Sequence, residues 1–268
     1  MSLATDLSLT IHPTAIIEDG AIIGNQTEIG PYSIIRSGVR LGENNKVGPH
    51  VVIEGNTTIG DNNQIFQFAS IGSAPQDLKW DGEFTALVIG NHNIMREYVT
   101  IQPGVGDGNM TKVGDHNLFM GSSHIAHDCI IGNGCRFVNS AAIAGHVVVG
   151  NHAIVGGLSG VHQFSQIGDH AFIAAGSIVT MDIPPYVMAE GNRAGLVQVN
   201  KIGLQRNGFA QDDIDIIDKI FKKLFYGEGL FNDKLTQLEK EYSHNALLIH
   251  FFDFIKNSKR GIAKRRSG

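Results

Sequence analysis

The sequence predicts a mainly β protein: a coil of very short parallel strands, followed by a small α-helical C-terminal domain. Three observations carry this expectation. Stepping by six from Ile11 gives Ile17, Ile23, Ile29, Ile35, Leu41, Val47, Ile53, Ile59, Ile65 and Ile71, resumes at Ile89, Met95 and Ile101, and is apolar at every sixth position from Val113 to Val179. The positions that fail, Asp77, Glu83 and Asp107, fall in two polar inserts. Glycine supplies 33 of 268 residues, well above the roughly 7% of average proteins. From about Asn200 the apolar spacing becomes helical.

A period of six fits neither an amphipathic helix nor a plain alternating strand, but it fits very short strands joined by regular turns. Segments such as IGNQTE, LGENNK, IGDNNQ and VGDHNL place Gly, Asn or Asp after the aliphatic position, and these residues tolerate tight or left-handed turns. Three faces of six make a coil of about 18 residues, with aliphatic columns inside a triangular prism.

The inserts, at 73–88 and 103–112, read as loops extruded from the coils. The first, SAPQDLKWDGEFTALV, keeps the phase of the repeat, and loops on rigid scaffolds commonly carry function. The glycine-rich second, QPGVGDGNMTK, reads as a flexible excursion. Pro184 and Pro185 in DIPPYVMAEGN stop the coils, and Gly191 and Asn192 suit a turn. Beyond them, acids early and bases late in each segment indicate about three helices. The expected domains are 1–191 and 192–268.

A net charge of -5 argues against a nucleic-acid-binding body. The N-terminus, MSLATDLSLTIHPTA, lacks the features of a signal peptide, and no window reaches the roughly 18 apolar residues of a membrane span. Cys129 and Cys135, the only cysteines, are too few for a disulfide framework or a four-thiolate zinc site. A cytoplasmic protein with reduced thiols is expected.

Four histidines crowd the second half of the repeat: His124 and His127 in HIAHDC, His146 in IAGHVVV and His162 in SGVHQFS. His127 and Gln163 are two coils apart and should share a column. Three chemistries fit these residues. Zinc could take the HIAH pair plus a third imidazole, although the hexapeptide-repeat carbonic anhydrases need an upstream histidine with wider spacing that has no match in this chain. Acyl transfer from a thioester to a hydroxyl needs a general base, and neutral imidazole suits that work at cytosolic pH; Asp128 would orient His127, and a backbone N–H would stabilise the oxyanion. Gly145, just before His146, allows close approach. The third possibility is that the histidines only cap turns.

QDLKW, HIAHDC, AGHV, HQF, PPYV and GLQRNGF, in that order, after hexapeptides and before a helical tail, resemble the UDP-N-acetylglucosamine acyltransferases of lipid A biosynthesis over nearly the whole chain. The resemblance implies a left-handed parallel β-helix, whereas physical rules for crossovers favour the right hand. It implies transfer of an R-3-hydroxyacyl group from acyl carrier protein to the 3-position of UDP-N-acetylglucosamine. No cofactor or metal is implied, and the active sites lie between the prisms of a homotrimer. By motif, His127 is the general base, Asp128 its partner, and Gly145 N–H the oxyanion donor. Asp77, Lys79, His124, His146, His162, Gln163, Asn200 and Arg206 bind substrate, and Ala175 is the acyl-chain ruler. The family's GLKRRGF-like segment here reads GLQRNGF, with Gln205 and Asn207 in place of basic residues. Alanine at the ruler implies a chain no longer than the glycine versions accept.

Overall fold

The computed structural model describes residues 10–266; positions 1–9, the start of the N-terminal stretch read above, and 267–268 lie outside the described residues. Nearly every repeat becomes a strand of two residues whose second member points inward. These strands stack into three sheets of 11, 9 and 8 strands, parallel except for one antiparallel pair. Along one face Ile101 pairs with Ile125, Ile125 with Ile143 and Ile143 with Val161, and all four are buried. Along another, Phe119 and Phe137 stack at 5.0 Å inside the prism.

The turns explain the rest of the hexapeptide. The third residue after the inward position is left-handed in coil after coil, at Asn44, Asn62, His116, Asp128 and His146 (φ 57–61°). Such φ values cost roughly 1 kcal/mol or more for a side chain, and a cross-coil bond opposes the cost, as where His146 N–H donates to His127 O at 3.0 Å. The residue two before the inward position is usually small and buried, and where it carries a donor its side chain can reach a carbonyl of the next coil. Thr27 reaches Gly42 O (2.8 Å), Ser33 reaches Gly48 O (2.7 Å) and Cys129 reaches Ala144 O (3.2 Å). Burial pushes the Cys129 and Cys135 thiols up to about 12, so both are inert packing groups at neutral pH.

Both inserts leave the prism after the same face. Ile71 and Ile101 are register partners, and the chain returns to the next face at Ala86–Ile89 and Met110–Val113, which pair with each other. Past the prolines the chain does more than turn. Val187–Glu190 extends the first sheet beside Phe172–Ile173, and Gly195–Val199 runs back antiparallel to it. Four helices follow: α1 (Lys201–Arg206), α2 (Gln211–Tyr226), α3 (Phe231–Glu241) and α4 (Ala246–Asn257). The short α1 is the one beyond the three expected. It forms because Asn200 Oδ1 accepts the Gly203 N–H and Asn207 Nδ2 donates to Gly203 O.

α4 is tied to the prism by His250, whose Nε2 lies 3.3 Å from Asp169 Oδ2. The bond to Asp169 raises His250 above its ordinary 6.5, against partial burial. Burial pushes the Asp169 carboxyl up, but its bonds to His250 and the Asn151 N–H outweigh this and hold it below its ordinary 3.8. The His250 contribution is therefore full below pH 6.5 and fades as pH rises through the elevated value. The Asp169 contribution is full above pH 3.8 and is lost on acidification. Because His250 is about half exposed, His250→Ala should cost only about 0.5–1 kcal/mol near pH 5.5 and less at pH 8. Urea unfolding at the two pH values measures the difference.

Candidate active site

The corner from which both loops leave also carries the histidines. His127, Gly145 and Gln163 are each the second residue after an inward aliphatic of the same face, so they form one column. An open groove of about 790 Å³ runs along it, lined among others by Asp77, Lys79, His124, His127, His162 and Gln163. The first insert closes one side. Its Asp77 Oδ1 accepts the Lys79 N–H at 2.9 Å, a turn that presents both residues to the groove.

His127 is held from one side only. Its Nδ1 lies 2.7 Å from Asp128 Oδ2, and the Asp128 side chain is 8% exposed. A carboxylate can only accept, so Nδ1 carries the proton and the neutral ring's Nε2 keeps its lone pair. Nε2 faces the groove, with Asp77 Oδ2 at 3.6 Å, too far for a good hydrogen bond. Asp128 is positioned in turn by the second insert, whose Val105 N–H donates to the same Oδ2 at 3.1 Å. This insert is also tethered through Gly106 N–H to Glu83 Oε1 (2.6 Å). It is thus a clamp between the first loop and Asp128, and not the free excursion its glycines suggested.

Gly145 lies under the imidazole. A Cβ at this position would come within 2.5 Å of His127 Cε1 and Nε2. Its N–H makes no hydrogen bond among the described residues. At a neighbouring corner the equivalent N–H groups are capped by a ladder of side chains. Asn91 N–H donates to Asp115 (2.6 Å), Asp115 to Asn133 (2.7 Å), Asn133 to Asn151 (2.9 Å) and Asn151 to Asp169 (2.7 Å). The histidine column has Gly and Gln at these places, so a donor is left open directly beneath the base.

His146 stacks on Phe164 at 4.5 Å and meets His127 edge-on, with Nε2 3.7 Å from Asp128 Oδ2. His124 bonds Thr100 Oγ1 through Nδ1 (2.7 Å), and burial, then the nearby His127, lowers its pKa, so it is neutral at pH 7. One donor atom each from His127, Asp128 and His146 lie within 4.8 Å of one another. A divalent ion there would have to displace the proton shared by His127 and Asp128.

A family profile described as bacterial transferase hexapeptide (six repeats) matches residues 20–55, and one described as UDP N-acetylglucosamine O-acyltransferase, domain 2, matches residues 182–263. An acyl-[acyl-carrier-protein]–UDP-N-acetylglucosamine O-acyltransferase of Aliarcobacter butzleri is 47% identical over 96% of this chain and 98% of its own length. The chain belongs to this acyltransferase family. The enzyme of the same name from Myxococcus xanthus is 48% identical over 95% of this chain and 99% of its own. The fold agrees: the crystal structure of the Moraxella catarrhalis UDP-N-acetylglucosamine O-acyltransferase superposes with a TM-score of 0.91 at 42% identity, covering 95% of this chain and 99% of that one.

In this acyltransferase chain three of the expected residues lie away from the groove. Asn200 and Arg206 line a separate cavity beneath α1. The Asn200 amide is engaged within the chain, donating to His170 O (2.9 Å) as well as capping α1. Ala175 is exposed on the corner that follows the first sheet. The sequence reading missed Thr100, Gln102 and Val105, which serve His124, the loop backbone at Gln76 and Asp128. Thr100 and Gln102 flank Ile101, one coil above His124 and Ala126. That register was the signal available for them.

Proposed function

We propose that the protein transfers an R-3-hydroxyacyl group from acyl carrier protein to the 3-position of UDP-N-acetylglucosamine, the first step of lipid A biosynthesis, as a homotrimer in the cytoplasm. The carrier and acceptor follow the names of its relatives, and none of its described helices is long and apolar enough to cross a membrane. One observation carries the mechanism: the Asp128-bound His127 keeps Nε2 open to the groove above the unbonded Gly145 N–H.

His127 Nε2 takes the proton of the acceptor hydroxyl as its oxygen attacks the thioester carbonyl, and Asp128 stabilises the imidazolium that forms. Gly145 N–H donates to the oxyanion of the tetrahedral intermediate. Collapse expels the carrier thiolate, which recovers the proton from His127. Asp77 and Lys79 hold the sugar nucleotide from the first loop; His124, His146, His162 and Gln163 line the path of the acceptor and acyl chain. In this reading the prism (1–191) carries the chemistry, and the helical domain (192–268) supplies Asn200 and Arg206 to a neighbouring prism. Their distance from the groove of their own protomer supports a shared site. Ala175 limits the acyl chain from the same neighbouring surface.

Mass spectrometry of the products formed from UDP-N-acetylglucosamine with a panel of 3-hydroxyacyl carrier proteins tests reaction and ruler together. A single preferred length, no longer than that of glycine-ruler relatives, is expected; absence of acylated sugar nucleotide would overturn the assignment. Lys79→Ala should raise KM for the sugar nucleotide about tenfold, as for a lost charge-assisted contact, with a smaller change in kcat. Initial rates at varied sugar-nucleotide concentration measure it.

A further inference from the structure

The cavity beneath α1, about 500 Å³, has a charge pattern that the assigned roles do not account for. Arg136, Lys201 and Arg206 line it, together with His152, and no carboxylate does. Lys201 is already engaged, with Nζ 2.8 Å from Asp218 Oδ2, a carboxylate it shares with Lys222 at 2.9 Å. Arg136 and Arg206 make no ion pair and no side-chain hydrogen bond among the described residues. Arg136 stands outward on the strand Arg136–Phe137, between Leu118 and Ile154 of the adjoining coils, where its neighbours in register are aliphatic.

Two guanidinium groups facing one cavity repel each other, and the apolar walls at Ile154, Phe172 and Met188 offer them no partner. A multiply charged anion relieves both costs, and the planar guanidinium matches phosphate oxygens bidentately. The amides that stand where the family has bases cannot take this part. Asn207 Nδ2 is bound to Gly203 O at 2.7 Å, and Gln205 to Gln211 at 3.2 Å.

We propose that Arg136 is a substrate-binding residue, holding the diphosphate of the sugar nucleotide together with Arg206. The prism face thereby supplies the second cation that GLQRNGF lacks. The assignment rests on the acceptor proposed above and on the cavity of one protomer completing the groove of its neighbour.

The test titrates UDP and uridine into the wild-type protein, Arg136→Gln and Arg136→Lys by calorimetry, and measures acyl transfer with sugar nucleotide and acyl carrier protein varied separately. Arg136→Gln should weaken UDP binding about tenfold, the loss of one charge-assisted contact. It should leave uridine binding unchanged and raise KM for the sugar nucleotide about as much, with kcat within about twofold. Arg136→Lys, which keeps charge but not the planar fork, should fall between, and it carries the test if the glutamine variant misfolds. Unchanged UDP affinity, an equal loss for uridine, or a rise confined to KM for the carrier would overturn the proposal. Wild-type turnover in the same assays separates the outcomes: with turnover intact these results sink only Arg136, whereas no wild-type transfer sinks the underlying reaction.

Discussion

Replacing His127 with alanine should lower kcat by about a hundred- to ten-thousandfold, the usual contribution of a positioned general base, and leave the fold intact. The fold should survive because His127 sits at a corner, outside the buried aliphatic columns, and its backbone carbonyl still accepts the His146 N–H. KM for either substrate should move little, since the imidazole acts on a proton that transfers only in the transition state. Single-turnover rates with saturating carrier and sugar nucleotide measure the loss. Near wild-type turnover in a correctly folded variant would remove His127 from the chemistry.

Gly145→Ala should rival it. The added methyl would sit 2.5 Å from His127 Cε1 and Nε2, closer than any carbon packs. The ring must swing away from the column, and with it the lone pair that faces the acceptor. A displacement of about 1 Å in a catalytic group costs on the order of a hundredfold, so kcat should fall by at least that much. The variant keeps the His127 side chain and its Asp128 partner. It therefore separates the presence of the base from its placement, and a crystal structure of the variant would locate the displaced ring.

The inward columns were legible from sequence because burial enforces them: an apolar side chain every six residues is what fills the prism. Cys129 followed the same rule once its place two residues before Ile131 was known. The hand of the coil was not legible from physical rules, which favour right-handed crossovers; it came from resemblance. The hairpin Val187–Val199 was hidden behind Pro184 and Pro185, since Pro stops one kind of strand without forbidding the next. The role of the second insert was hidden more deeply. Glycine reports only conformational freedom, and what tethers QPGVGDGNMTK is backbone N–H groups reaching Asp128 and Glu83.

HIAHDC alone admitted a metal site, a base with its acid, or a capped turn. The sequence by itself determined the repeat, the interior of the prism, the two loops and the residue types available for acid–base work, because each depends on local periodicity or side-chain chemistry. Only the tertiary structure decided that both loops and the histidine column share one corner, that Asp128 is clamped from the second loop, and that the Gly145 N–H is left unbonded beneath the ring. Those are relations between coils. They depend on which corner each loop leaves and on which neighbour's side chain reaches a given N–H, and neither is written in the spacing of any one segment.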